Sequence, residues 1–168
     1  MAKNYVNNPE FLQAIIDYKK LCVEAEDSGD DKPQIPNYLG ECIYQISTRL
    51  ASKPNFSGYS YKDEMISDGL ENAIQALGNF DPDKSSNPFA YFTQIIWYAF
   101  LRRIDKEKKQ LYIKHKVTEN SVISGTAVDG AGDGDDAPSY IDLDNDYMTD
   151  FVRNYEKKME EKKAQQQK

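Results

Sequence analysis

Histidine and tryptophan each occur once in this 168-residue chain and cysteine twice. One histidine, His115, excludes any catalytic or metal-binding set built on paired imidazoles. Cys22 and Cys42 have no metal-ligand spacing. So little cysteine predicts a reducing, cytosolic home rather than a disulfide-stapled secreted fold. No apolar run approaches the roughly 18 residues needed to span a bilayer, and the polar start from Met1 to Val6 lacks a signal-peptide core. Neither a phosphate-binding loop, a Gly-rich dinucleotide fingerprint nor a nucleophile paired with a base is present, so neither an enzyme nor a cofactor is expected. The acidic run from Asp129 to Asp136 lacks the spacing and the closing Glu of a calcium loop.

What is present is charge. Charged residues make up 29% of the chain and the net charge is −7, which argues against a general nucleic-acid binder. The average hides an asymmetry. Residues 84–116 hold eight Lys/Arg and two acids, whereas residues 118–150 hold nine acids and no Lys or Arg. Such a contrast fits an interaction patch beside a solvated linker, or simply a solvated helix face followed by a spacer.

Apolar spacing predicts four helices and a fifth near the end. The first runs from about Asn8 to Glu26, with Asn8 as its cap, Pro9 in its first turn, and Phe11, Leu12, Ile15, Ile16, Tyr18, Leu21 and Cys22 at helical spacing. The second covers Pro36 to Ala51, with Leu39, Ile43, Ile46 and Leu50 in a stripe. The third covers Tyr61 to Leu77, ending at Gly78 and Asn79. Asp81-Pro82-Asp83 is turn chemistry. The fourth opens at Pro88 and reaches about Lys114. Residues 118–139, rich in Gly, Asp, Ser and Thr, read as disordered. Tyr147 to Lys163 is a fifth helix with a thin stripe of Tyr147, Phe151, Tyr155 and Met159. The fold class is therefore all-α, a compact bundle of about four helices. Its domain spans 1–116, followed by an acidic flexible linker at 117–142 and a C-terminal helix and tail at 143–168.

The fourth helix has two faces. Phe89, Phe92, Ile96, Ala99 and Phe100 share an arc suited to a core. Tyr91, Gln94, Tyr98, Arg102 and Lys109 share the opposite arc. Exposed aromatics on a basic helix can stack on unpaired bases while Lys and Arg hold phosphates. The same tyrosines could instead pack on a neighbouring helix.

From Asp63 to Lys109 the order of parts resembles region 2 of bacterial sigma factors. An acidic amphipathic helix ends in Phe80-Asp81-Pro82. An aromatic helix with Phe89, Tyr91, Phe92 and Trp97 follows, running into Arg102, Arg103, Lys106, Lys108 and Lys109. Asn4-Tyr5-Val6-Asn7-Asn8, residues 12–17 (Leu-Gln-Ala-Ile-Ile-Asp) and Asn55-Phe56-Ser57-Gly58-Tyr59 are similar to the late-transcription sigma factors of T-even-type phages, a minimal sigma family. The resemblance implies a sigma region 2-like bundle. It also implies a factor that binds bacterial-type core RNA polymerase and directs recognition and opening of a TA-rich, −10-like late promoter element.

The resemblance places polymerase contacts, to a coiled coil of the largest subunit, at Glu64, Ser67, Asp68, Glu71 and Ile74. Three carboxylates at i, i+4 and i+7 on one face suit arginines on a partner helix. It places promoter contacts, to the non-template strand, at Tyr91, Gln94, Trp97 and Tyr98, with Arg102, Lys106 and Lys109 on phosphates. The Trp-Trp pair of housekeeping sigmas is absent: Ile95 and Ile96, or Gln94 and Ile95, hold its place, with Trp97 nearby. A late co-activator and a DNA-tracking sliding clamp are further implied partners, although the hydrophobic-acidic clamp tail of the phage family is missing from Lys162 to Lys168. The helix from Tyr147 to Met159 could instead reach the polymerase flap. No membrane is involved, and the setting is cytoplasmic, the host bacterial cytoplasm if the chain is phage-encoded. A rival reading is a polymerase-binding adaptor or anti-sigma-like protein with no DNA contact, which accounts for the acidic balance without stacking tyrosines.

Overall fold

The computed structural model describes residues 5–123 and 146–166. Among these residues the elements are helical and no strand is present, as the periodicity predicts. The order is α1 (Asn8–Ser28), α2 (Asn37–Ala51), α3 (Lys62–Ala76), a single 3-10 turn (Leu77–Asn79), α4 (Pro88–Ile123) and α5 (Asp146–Gln166). Packing divides the chain into two compact units, residues 1–104 and 105–168.

The first unit is the bundle. Phe11, Ile15 and Tyr18 of α1, the whole predicted stripe Leu39, Ile43, Ile46 and Leu50 of α2, and Met65 and Ala73 of α3 are buried together. Phe92, Ile96, Phe100 and Ile104 of α4 complete the core, with Phe56 and Phe80 closing it from the loops. A fully buried side chain of this kind contributes about 1.5–3 kcal/mol. α3 comes closest to its neighbours at Gly69. A Cβ there would lie 2.7 Å from Ser47 Oγ of α2, and 2.9 Å from both Ile96 Cγ2 and Phe100 Cε1 of α4. Only the missing side chain lets the three helices approach so closely.

Helix ends show where local rules hold and where they do not. α1 ends two residues later than expected, at Ser28. Gly29 takes the left-handed conformation (φ 73°), and Gly29 and Asp30 donate to the carbonyls of Glu26 and Ala25. Asn8 does not cap α1: the cap position is Asn7, whose side chain makes no capping bond. Asn8 turns to α4 instead. Its Oδ1 accepts the Phe89 N–H (3.1 Å) and its Nδ2 donates to the Ser86 carbonyl (3.4 Å). Asn87 Oδ1 accepts the Ala90 N–H (3.1 Å), so two orphan donors at the start of α4 are satisfied by two asparagines far apart in sequence. Lys19 of α1 donates to the carbonyls of Gly78 (3.2 Å) and Phe80 (2.6 Å), a cation at the carboxyl end of α3 and its turn. The Phe80-Asp81-Pro82 turn anchors through buried Phe80 and is closed by Asp81 Oδ1 accepting the Asp83 N–H (3.0 Å).

α4 passes Lys114, where the pattern predicts its end, and continues to Ile123. No Gly or Pro interrupts residues 114–123. Thr118 Oγ1 donates to the Lys114 carbonyl (3.0 Å), and Lys116 pairs with Glu119 (3.2 Å). The first seven residues of the predicted linker are thus helical. Its residues 124–142 lie outside the described ones, as does the start of the tail, 143–145.

In the second unit, α4 beyond Ile104 carries α5. Tyr112 stacks on Tyr155 (centroids 4.9 Å apart, 30° between planes) and its hydroxyl donates to Glu156 (3.0 Å). Lys116 also reaches Glu156 (3.2 Å). Hydrogen bonding to Lys116 and Tyr112 holds the Glu156 carboxyl below its ordinary value. Hydrogen bonding to Glu119 and then to Glu156 raises Lys116, and hydrogen bonding to Glu156 raises the Tyr112 phenol.

Candidate functional site

α3 is amphipathic. Its inward face holds Met65, Gly69 and Ala73. Its outward face holds Glu64, Ser67 and Glu71, all exposed, and Ile74, which is 41% exposed although aliphatic. Asp63 and Glu64 lie in the first turn, where carboxylates complement the helix dipole. The stripe therefore offers two carboxylates, a hydroxyl and an apolar side chain to solvent along one ridge. That chemistry fits a basic helix with an apolar patch.

Asp68 differs from its neighbours. Its two carboxylate oxygens accept from Arg103 Nε (2.6 Å) and a terminal Arg103 nitrogen (2.7 Å), a part-buried bidentate pair between α3 and α4. One turn on, Asn72 Nδ2 donates to the Asp68 carbonyl (2.7 Å) and its Oδ1 accepts from Arg102 (2.7 Å). The two arginines of α4 thus grip one edge of α3, fixing the angle between the acidic helix and the aromatic one. Sequence reasoning misses this latch: Asp68 and Arg103 lie 35 positions apart and no periodicity links them. Arg102, the residue assigned to phosphate, is exposed, and its Asn72 partner is neutral, so the guanidinium charge is not offset there.

The aromatic helix separates its candidates into two groups. Phe92, Ile96, Ala99 and Phe100 are buried as predicted, and Phe89 is half-buried edge-on to Tyr5 (5.6 Å, 70°). Tyr91 and Trp97 are half-buried. Tyr91 meets Phe80 edge-on (5.1 Å, 65°), and Trp97 meets the fully buried Phe56 edge-on (4.8 Å, 75°). Aromatic neighbours fix both rings. Tyr98 is 52% exposed, with Leu101 (39%), Gln94 and Arg102 also exposed within three to four residues of it on α4. The outward set is therefore Gln94, Tyr98, Leu101 and Arg102. Leu101 is not among the contacts expected from the sequence, though an apolar side chain three residues from Tyr98 is legible at helical spacing.

Lys106 and Lys109 belong to the second unit, where both are exposed and line a groove with α5. The single histidine, His115, is buried in this unit, and among the described residues neither ring nitrogen has a hydrogen-bond partner. Among the described residues no group of His, Cys, Asp or Glu could hold a metal ion, and no helix is long and apolar enough to cross a membrane.

This geometry puts an acidic outward ridge on one helix, latched by two arginines to an aromatic helix whose next turns are basic. Residues 44–110 match the family described as Sigma-70 region 2. The match takes in most of α2, all of α3, the Phe80-Asp81-Pro82 turn and α4 as far as Gln110. No curated protein matched the chain. Over those residues, about two fifths of the chain, the protein is similar to sigma-70 region 2.

Proposed function

We propose that this chain is a sigma-type initiation factor that binds bacterial-type core RNA polymerase and directs opening of a TA-rich, −10-like late promoter element. The observation that carries the reading is the latched pair of helices inside the matched segment. α3 keeps Glu64, Ser67, Glu71 and Ile74 outward while Asp68 is engaged by Arg103. In this reading the outward four meet the coiled coil of the polymerase's largest subunit, and Asp68 acts by holding α3 in register with α4.

Tyr98 is the side chain best placed to stack on an unpaired base, with Gln94 beside it and Arg102 on a phosphate. Tyr91 and Trp97, packed on Phe80 and Phe56, serve as the rigid backing of that surface. The phage-late element, the host-cytoplasm setting, a co-activator and a sliding clamp belong to the same reading through the resemblance alone. Permanganate footprinting of unpaired thymines tests it. Tyr98→Ala should leave core binding intact and reduce promoter opening about tenfold, the effect of losing about 1–3 kcal/mol of base stacking. Full opening by that variant would remove DNA contact from the proposal.

The packed rings of Tyr91 and Trp97 also favour the adaptor reading, since two of the three candidate stacking rings are occupied within the protein. An adaptor would bind core and tolerate Tyr98→Ala in every transcription readout.

A further inference from the structure

We propose that the groove between residues 105–109 of α4 and residues 151–162 of α5 binds a single nucleic-acid strand, with lysines on phosphates and a base on the aromatic ladder at its floor. The inference rests on the sigma-type reading and extends it. It gives Lys106 and Lys109 a second wall in α5, outside the matched residues 44–110.

The groove has a volume of about 430 Å³, within the range of about 300–1,000 Å³ that holds a small organic ligand. Among the described residues Lys106, Lys108, Lys109, Lys158 and Lys162 line it, with Asp105 as the one acid. Lysines gathered along one groove repel one another, and an anion seated there relieves that repulsion. On α5 the basic and apolar stripes run side by side. Lys158 and Lys162 are four apart, as are Phe151, Tyr155 and Met159, and all five line the groove. Glu156 bonds to Lys116 and Tyr112, and neither it nor Glu160 and Glu161, which stand between Lys158 and Lys162 in sequence, lines the groove.

The rings decide between possible anions. Phe151, Tyr155 and Tyr112 form a near-parallel ladder, with planes 29° and 30° apart and centroids 5.9 and 4.9 Å apart. A flat base can extend that ladder at its Phe151 end while its phosphates meet the lysine rim, the pairing of ring and cation that single-strand binders use. An acidic peptide without aromatic side chains would satisfy the lysines but has no flat group for the rings.

The test uses the full chain without polymerase and a short fluorescein-labelled oligothymidylate strand, followed by anisotropy between about 50 and 200 mM salt. Lys158→Glu with Lys162→Glu should weaken binding about tenfold and lower the salt slope by about 1.4, the share of two single-strand phosphate contacts. Lys157→Glu with Lys163→Glu makes the same charge change outside the groove lining and should alter affinity less than about threefold. Phe151→Leu, which keeps the apolar volume, should cost about fivefold through lost stacking. Circular dichroism checks that each variant keeps its helices. Three results would each overturn the proposal: equal losses from the two lysine pairs, no loss from the groove pair, or binding of a polyglutamate peptide of equal length as tight as that of oligothymidylate. Promoter-directed initiation by the groove variant at full level would sink only the groove's part in it. Loss of initiation from the unaltered chain with groove-dependent oligothymidylate binding intact would sink only the sigma-type reading.

Discussion

Replacing Gly69 with alanine should loosen the contact between α3 and its two neighbours. The new methyl would meet Ser47 Oγ at 2.7 Å and Ile96 and Phe100 at 2.9 Å, each several tenths of an ångström inside van der Waals contact. None of these three can swing aside, because all are buried in the core. Overpacking of this kind costs about 1–3 kcal/mol, while alanine's better helix propensity returns about 1 kcal/mol. The net is a loss of about 1 kcal/mol. With a urea slope of about 1–3 kcal/mol/M, the midpoint should fall by about 0.5 M. Trp97, the only tryptophan, packs on Phe56 in the same unit, so its fluorescence follows the right transition. Gly40, inside α2, supplies the control. A Cβ there meets nothing within 4 Å, so Gly40→Ala should raise the midpoint through propensity alone. If Gly69→Ala matched or exceeded the unaltered protein, or if both variants shifted the midpoint the same way, the close approach at Gly69 would not be what positions α3.

Asn8→Ala should cost about 1 kcal/mol in the same urea experiment, because Phe89 N–H loses its acceptor at the start of α4. Asn7→Ala should cost almost nothing, since Asn7 makes no capping bond. Docking of α5 on α4 should depend on pH at both ends. The Glu156 carboxyl sits below its ordinary 4.5, so its contribution is present above that value and is lost as acid takes the pH through the folded-state value. Lys116 is raised above 10.5 and Tyr112 above 10.0, so their contributions are complete below those values and disappear as pH rises through the raised ones. Tyrosine near-ultraviolet dichroism, which reports the Tyr112–Tyr155 stack, should show both limbs, and Glu156→Gln should remove the acid limb.

The bundle is legible in the sequence because its signals are local. The Leu39, Ile43, Ile46, Leu50 stripe and the Phe92, Ile96, Phe100 stripe reflect helix geometry, and each faces the core. What escapes is tertiary. Asn8 obeys every rule for capping its own helix, yet its carboxamide serves α4, because only the folded chain brings Phe89 within reach. Asp68 reads as one carboxylate of a docking row until Arg103 closes on it from 35 residues away. Tyr91 and Trp97 sit off the core arc, but loop residues Phe80 and Phe56 cover them, and helical spacing says nothing of what a loop will cover. The acidic composition beyond Lys116 reads as linker and so ends α4 too early, whereas Lys116–Glu119 and Thr118–Lys114 bonds carry the helix on.

On the proposed function, α3's outward ridge should deliver core polymerase to a promoter. Run-off transcription with purified bacterial core enzyme, on a template with one TA-rich −10-like element, tests it most directly. A discrete start should depend on this protein and be lost when Glu64 and Glu71 are both reversed to Lys, with the urea midpoint lowered by no more than about 0.5 M. Those carboxylates are exposed, so their reversal acts chiefly on docking, with about 0.3–1 kcal/mol of stability lost at Glu64 in the first turn of α3. Core binding without any protein-dependent start, or a start that survives Glu64→Lys with Glu71→Lys, would contradict it.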